Sequence, residues 1–167
     1  ISELVVASTG NVAIAYSAFA ARAGLRLWAF LTSLVPSEKM REVAIYGTKV
    51  VKVTGTYDQA KQLAEQFAKT RNLALDLGSR SIPCIEGMKT LAFEICEQLS
   101  LPAFKTSIDL DNSSNGWIAP DWYFQSVSGG MGPLGVLKGF AELKQMSLIS
   151  QIPRLAIVQV SGCSPMV

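Results

Sequence analysis

The sequence predicts an α/β protein in which open parallel sheets carry helices on both faces. Short apolar runs typical of strands alternate along the chain with patterns typical of helices, and parallel strands need such helical crossovers. Of the 167 residues, 49% are hydrophobic and 17% are charged, which is typical of a globular protein. We therefore expect two open α/β lobes, each with three αβα layers.

The first half of the chain contains three strand patterns, each followed by a helix pattern. The strand Leu4–Ala7 precedes an alanine-rich helix, Val12–Ala23, which Gly24 ends. The later elements are a strand over Leu25–Leu31, a helix over Ser37–Ile45 ended by Gly47, a strand over Lys49–Val53 and a helix over Tyr57–Lys69 capped by Thr56. Residues 1–80 are the predicted small lobe.

The second half has fewer elements and two irregular segments. Asn72–Pro83 is rich in serine and glycine, which favours a crossing between the lobes. Ser100–Asp121 is a long polar segment, equally compatible with a functional lid and with an insertion. The regular elements are a helix over Met88–Leu99, a strand over Trp122–Val127, a helix over Pro133–Met146 and a strand over Leu155–Val160. Residues 81–167 would form part of a large lobe.

Composition argues against several functions. The net charge of +2, without a basic stripe, does not favour nucleic-acid binding. The chain has no histidine, which excludes a histidine-based triad and the common zinc patterns, so no metal site is expected. Three widely spaced cysteines, Cys84, Cys96 and Cys163, are expected to be reduced and buried, as in a cytoplasmic protein.

The chain shows no predicted membrane segment. The apolar stretch Val12–Val35 is interrupted by Arg22 and Arg26 before it reaches the ~20 residues that a bilayer requires. Because the sequence opens with Ile1 rather than methionine, we expect the natural N-terminus to be missing.

A glycine-rich segment between the predicted strand Trp122–Val127 and the helix that follows it indicates an anion site. It reads Val127-Ser128-Gly129-Gly130-Met131-Gly132-Pro133-Leu134-Gly135. Glycines let backbone N–H groups converge on a bound group, and the helix that follows adds the positive end of its dipole. The segment therefore predicts a bound phosphate.

A second turn, Ser8-Thr9-Gly10-Asn11, has the same position between a strand and a helix. Its hydroxyls and the free N–H groups of the helix could hold a carboxylate, and the Asn11 amide offers both a donor and an acceptor. Taken alone, ordinary helix capping explains this turn better. Both turns lie at the carboxyl ends of strands, however, where open α/β sheets bind ligands.

A dinucleotide is a weaker match for the glycine-rich segment. Gly130–Gly135 fits the pattern G-x-G-x-x-G, but no acidic residue ends the next strand to hold a ribose. Pro133 also removes one N–H group from the loop. The P-loop pattern is absent, since no Gly-Lys-Ser/Thr follows. A nicotinamide- or nucleotide-binding module therefore stays the least favoured alternative, and a compact monophosphate fits better.

Four blocks of sequence, in order, resemble the fold-type II pyridoxal-phosphate enzymes of the tryptophan synthase beta superfamily. Among these enzymes the sequence is most similar to the threonine synthases. The blocks run through nearly the whole chain except Ser100–Asp121 and comprise Val6–Asn11 with the helix to Gly24, Tyr46–Val51, Ile85–Thr90 with Ala92–Ile95, and Ser128–Gly132.

The resemblance implies pyridoxal phosphate as the cofactor and assigns roles to both turns. Ser8, Thr9 and Gly10 would bind the carboxylate of a small amino-acid substrate, and Asn11 would contact the ring oxygen of the cofactor. The cofactor phosphate would be held mainly by backbone N–H groups of Ser128, Gly129, Gly130, Met131 and Gly132. Relatives commonly have glycine followed by threonine or asparagine where this chain has Met131-Gly132, so a side-chain contact to the phosphate is either lost or supplied by Ser128.

Two groups of the family's site have no counterpart in the sequence. The lysine that carries the cofactor would lie upstream of Ser8, where the seven residues include no lysine, and the partner of the pyridine nitrogen would lie beyond Val160. We therefore expect a central fragment, incomplete at both ends, with no catalytic residue and no turnover alone. Lys89 is expected to be either solvated or paired with Glu86, and Glu86 and Glu94 are expected to be solvated carboxylates rather than general bases.

The resemblance implies a parent enzyme that converts O-phosphohomoserine and water to threonine and phosphate, and it suggests a homodimer. Three alternatives stay open. They are a threonine or serine dehydratase, a β-replacement enzyme of the cysteine- or cysteate-synthase kind, and a non-catalytic remnant that binds the cofactor without the lysine.

Overall fold

The computed structural model describes residues 1–8, 10–101, 116–127, 129–162, 164 and 166. The chain divides into two compact units, Ile1–Leu77 and Gly78–Val167. Thr9, Ser128, Cys163 and residues 102–115 of the predicted long loop lie outside the described residues.

The first unit is built on a four-stranded parallel sheet. Its strands are β1 (Glu3–Ser8), β2 (Arg26–Thr32), β3 (Lys49–Val53) and β4 (Ala74–Leu75), in the order β3-β2-β1-β4. Three helices alternate with them, namely α1 (Asn11–Arg22), α2 (Ser37–Ile45) and α3 (Tyr57–Arg71). The prediction of an α/β fold with parallel sheets is therefore confirmed.

Helices cover both faces of this sheet because side chains alternate along each strand. Val6 of β1 packs in a cluster with Ala13 of α1 and Val43 of α2. The preceding residue, Val5, faces the other way and packs with Ala60 and the other small residues of α3. Burying a valine side chain contributes about 1.5–3 kcal/mol, so both layers stabilise the central strand.

Local signals fix the ends of α3. The Thr56 hydroxyl accepts the Gln59 N–H (3.2 Å), and the Gln59 side chain accepts the Thr56 N–H (2.8 Å), which forms a capping box. At the other end Asn72 has a left-handed conformation. Helix α3 reaches Arg71, two residues beyond its predicted end at Lys69.

The second unit contains a two-stranded parallel sheet and two long helices. After a 3-10 turn over Gly78–Arg80, its elements are α4 (Ile82–Leu99), β5 (Trp122–Ser126), α5 (Met131–Gln145) and β6 (Arg154–Val158). Strands β5 and β6 pair in parallel, with Phe124 opposite Ala156. Cys96, Val136 and Phe140 are fully buried between the helices, and burial raises the pKa of the Cys96 thiol to about 11.

Two elements differ most from the sequence prediction, for physical reasons. Helix α4 begins at Ile82 rather than Met88, because Pro83 occupies its first turn, where no N–H partner is needed, and Gly87 is accommodated inside the helix. Strand β4 was not predicted, because two residues are too short for a recognisable period. It forms by pairing with β1.

The described ends of the predicted loop are held to the second unit. The Ser100 hydroxyl accepts the Ile118 N–H (2.7 Å), and the Trp117 N–H donates to the Leu148 carbonyl (2.7 Å). Across the described ranges, no helix combines the length and apolarity needed to cross a membrane.

Candidate functional site

The first predicted turn joins β1 to α1 and is organised by the Ser8 hydroxyl. Ser8 is buried, and its Oγ accepts the N–H groups of Gly10 (3.0 Å) and Ala13 (3.2 Å). The hydroxyl thus satisfies backbone N–H groups at the start of α1. This is the helix-capping role that the sequence analysis gave as the alternative to substrate binding. Thr9, the neighbouring predicted substrate residue, lies outside the described residues.

Gly10 has a backbone conformation that other residues rarely adopt. Its φ is 141° and its ψ is −77°, which is disfavoured for any residue with a Cβ. A Cβ here would also lie 2.9 Å from Cδ of Lys39. The backbone conformation therefore requires glycine at this position, and its missing side chain leaves room for the flexible chain of Lys39.

Asn11 opens α1 with its side chain exposed to solvent. Its Oδ1 accepts a hydrogen bond from the Lys39 ammonium at 2.8 Å. Lys39 lies on α2, 28 residues away in sequence. The sequence analysis missed this lysine, because the local sequence around a single lysine in a polar helix does not reveal which distant residue it contacts.

A second missed residue borders the same strand end. Tyr57, the first residue of α3, donates its hydroxyl to the Ala7 carbonyl at 3.3 Å. The carboxyl edge of the first sheet therefore combines a glycine turn, an amide, an ammonium and a phenol. The ammonium and the N-terminal N–H groups of α1 favour an anionic or electron-rich ligand.

The glycine-rich segment joins β5 to α5 in the second unit. Gly130 is left-handed, with a φ of 72°, and precedes the first residue of α5. The Val127 N–H donates to the Val158 carbonyl (3.1 Å), which anchors the start of the loop on β6. Ser128 lies outside the described residues, while Gly129, Gly130, Met131 and Gly132 follow in the loop and the first turn of the helix.

The donors of this loop fit a phosphate group. The first hydrogen bond of the α5 backbone is from the Leu134 N–H to the Gly130 carbonyl (3.3 Å), so the N–H groups of Met131 and Gly132 precede the helical ladder. No acidic residue lies in the first turn of this 15-residue helix. Backbone donors and a helix dipole without a nearby carboxylate are what an anion requires.

The sequence analysis did not identify Gln125, whose side chain lies against the glycine-rich loop at Gly132. A Cβ on Gly132 would overlap the amide group of Gln125. Within the part of the chain that the structure describes, the buried Oε1 of Gln125 has no hydrogen-bond partner. Glycine at position 132 therefore leaves room for an amide that approaches from the preceding strand.

Lys89 is ion-paired in the second unit. Its ammonium contacts Glu86 and lies 2.8 Å from Oε1 of Glu142. These hydrogen bonds, with that of Glu142 the strongest, raise the pKa of Lys89, while hydrogen bonds from Lys138 and then Lys89 lower the pKa of Glu86. The predicted pairing of Lys89 with Glu86 is confirmed. Glu94 accepts a hydrogen bond from the exposed Gln98 side chain (3.1 Å).

Comparison with known proteins identifies relatives along the whole chain. A family model described as pyridoxal-phosphate dependent enzyme matches residues 1–167. The threonine synthase of Methanocaldococcus jannaschii is 32% identical over 162 residues, which cover 96% of this chain and 36% of that protein. The threonine synthase of Mycobacterium tuberculosis is 28% identical over 162 residues, or 40% of its length. The chain thus spans well under half of these relatives.

Solved structures share the fold at lower identity. A pyridoxal 5'-phosphate-dependent aspartate racemase superposes with a TM-score of 0.75 at 23% identity, over 97% of this chain and 42% of that one. An O-ureido-L-serine synthase gives 0.73 at 17% identity, over 98% of this chain and 46% of that one. At these identities the likeness establishes the architecture alone.

Proposed function

Because the chain belongs to the pyridoxal-phosphate dependent enzyme family, we propose that it is the segment of a threonine synthase that holds the cofactor phosphate and binds the substrate carboxylate. The observation that carries this proposal is the match to threonine synthases over 96% of the chain. The parent enzyme would convert O-phosphohomoserine and water to threonine and phosphate. This reaction would be a step of amino-acid biosynthesis in the cytoplasm.

In this proposal the second unit holds the phosphate of the cofactor. Backbone N–H groups of Gly129, Gly130, Met131 and Gly132 donate to the phosphate, and the dipole of α5 stabilises its charge. Ser128 is assigned to the same group from the family resemblance. The absence of an acidic residue from the first turn of α5 supports this assignment.

The first unit binds the substrate and the ring of the cofactor. Gly10 has no side chain, so its backbone can approach a carboxylate closely. The Ser8 hydroxyl stabilises the turn by accepting the N–H groups of Gly10 and Ala13. Asn11 is exposed at the start of α1 and donates to the ring oxygen. Thr9 is assigned to the substrate from its place in the turn.

Pyridoxal phosphate supplies the electron sink that stabilises negative charge at the substrate α-carbon. The residues of this chain contribute binding and orientation, which lower the entropic part of the barrier. No residue of this chain is assigned proton transfer or covalent attachment of the cofactor. We therefore expect binding but no turnover from these 167 residues alone.

The test compares this chain with the full-length product of its gene. Each purified protein is incubated with pyridoxal phosphate, reduced with borohydride and weighed by intact mass spectrometry. Full-length protein is then given O-phosphohomoserine, and threonine and phosphate are measured. We expect a single reduced cofactor and threonine formation for the full-length protein, and reversible cofactor binding by equilibrium dialysis for the chain.

The other outcomes distinguish the alternatives. Ammonia and a keto acid from threonine or serine would identify a dehydratase, and a new β-substituted amino acid would identify a β-replacement enzyme. Binding without a stable adduct or any turnover in the full-length protein would identify a non-catalytic cofactor-binding protein. Binding of NAD in place of pyridoxal phosphate would overturn the proposal. Sedimentation of the full-length protein tests the proposed homodimer.

A further inference from the structure

We propose that Lys39 is a positioning residue that orients the Asn11 amide so that its NH2 group faces the cofactor. This inference rests on the proposed function and adds to it a residue that no motif selects. It follows from the geometry around the turn between β1 and α1.

The contact between Lys39 and Asn11 defines which way the amide points. An ammonium group can only donate hydrogen bonds, so the atom 2.8 Å from Lys39 Nζ must be the amide oxygen. The oxygen and nitrogen of a planar amide lie on opposite sides of the group. Because Lys39 binds the amide oxygen of Asn11, the NH2 group of Asn11 points away from Lys39.

The position of Lys39 is itself constrained. Its aliphatic chain lies over Gly10, where a Cβ would come within 2.9 Å of Cδ. The next residues of α2, including Met40 and Val43, pack in the cluster that contains Ala13 of α1. Helix packing thus holds the lysine across the turn, and the absence of a side chain at Gly10 makes room for it.

The orientation selects the chemistry of the ligand. An exposed NH2 group donates, so it favours an acceptor such as the ring oxygen of pyridoxal phosphate. An exposed amide oxygen would instead favour a donor such as a sugar hydroxyl. Without Lys39, either end of the amide could face the ligand, and part of the binding energy would be lost when one end was selected.

The experiment measures pyridoxal phosphate binding by equilibrium dialysis to the wild-type chain and its variants. We expect Lys39→Met to weaken binding about tenfold, which is typical for loss of a hydrogen bond to a charged group. Lys39→Arg, which still donates, should retain most of the affinity. Lys69→Met removes an exposed lysine of α3 and is the control for the loss of one positive charge. Its affinity for pyridoxal phosphate should equal that of the wild type.

Two further measurements separate positioning from a general structural effect. In an Asn11→Ala background, Lys39→Met should cause no additional loss, because its effect passes through the amide. With 3-deoxypyridoxal phosphate, which lacks the ring oxygen, Lys39→Met should change affinity less than twofold. Asn11→Asp keeps a partner for Lys39 but removes the donor, so it should bind pyridoxal phosphate as weakly as Asn11→Ala or more weakly.

The outcomes distinguish this inference from the proposed function. If the wild-type chain does not bind pyridoxal phosphate, the proposed function fails. If it binds but Lys39→Met has no effect, or has the same effect with and without Asn11, the orienting role of Lys39 is overturned while the proposed function stands. Thermal melts of every variant verify that the first unit stays folded.

Discussion

At the scale of single residues, three glycines of the two candidate turns have different structural roles. Gly10 has a φ of 141°, a conformation that excludes a side chain, and it lies under the flexible chain of Lys39. Gly130 needs a left-handed conformation with a φ of 72°. Gly132 has no such constraint on φ, and a Cβ there would have to displace the amide at the end of the Gln125 side chain. The sequence shows three glycines, but only the structure distinguishes these causes.

Gly132 and Gln125 should therefore be energetically coupled. Gly132→Ala gains helix propensity in the first turn of α5 but must displace the Gln125 amide, which lies at the end of a flexible side chain. We expect the substitution to be more favourable in a Gln125→Ala background by about 1 kcal/mol. Urea unfolding of the four proteins in this cycle measures the coupling, and additive effects would contradict the contact.

A charged side chain at the same position tests the phosphate cradle. Gly132→Asp places a carboxylate among the backbone donors assigned to the phosphate, so we expect pyridoxal phosphate affinity to fall at least about tenfold through like-charge repulsion. The control is Gly132→Asn, which has similar volume and no charge and should weaken binding less. Dialysis gives both affinities. Equal affinities for the aspartate variant and the wild type would remove this loop from the cofactor site.

At the scale of elements, close packing of α4 against α5 depends on two glycines one helical turn apart. A Cβ on Gly139 would lie 2.7 Å from the Lys89 carbonyl oxygen and 2.8 Å from the Ala92 Cβ. At Gly135 the added atom would meet the backbone of Ile85 and the Cβ of Met88. Neither set of neighbours can move without shifting the helix axis, since they are backbone atoms or attached directly to it.

Gly139→Ala should consequently destabilise the second unit by about 3 kcal/mol, because overpacking costs more than the gain in helix propensity. Gly87→Ala is the matched control, since Gly87 lies inside α4 with nothing near an added Cβ. This change should stabilise the protein by about 0.5–1 kcal/mol. Chemical denaturation measures both changes. A neutral Gly139→Ala variant would show that the two helices separate easily.

Most elements could be predicted because local signals coincide with tertiary packing. The elements signalled by the Thr56 cap and by the alternation over Lys49–Val53 lie at or near their predicted bounds. The predicted start of α4 was wrong because Pro83 and Gly87 look like helix breakers locally, whereas Pro83 falls in the first turn and packing on α5 stabilises the helix despite Gly87. Lys39 and Gln125 could not be identified because their importance depends on contacts with residues distant in sequence.

At the scale of the whole molecule, the two sheets differ in how completely they are covered. Strands β1 and β2 have helices on both faces and contain residues that are almost fully buried, such as Val6 and Leu31. In the second unit, Tyr123 faces the helical core, but its neighbours Trp122 and Phe124 are 48% and 67% exposed. Parallel sheets usually have both faces covered, so, among the residues that the structure describes, β5 and β6 have less packing from helices than the first sheet.

This difference predicts an order of local stability that hydrogen exchange can measure. Amides of β1 and β2 should exchange only through global opening of their unit, because four paired strands and two helical layers must separate first. Amides of β5 and β6 should exchange faster through local opening, since two paired strands with an exposed aromatic face lose little packing when they separate. The amides of α4 and α5 provide the internal control, because their buried interface should protect them more than the adjacent strands. Equal protection in β5 and β1 would mean that pairing alone, rather than coverage by helices, determines the stability of these parallel strands.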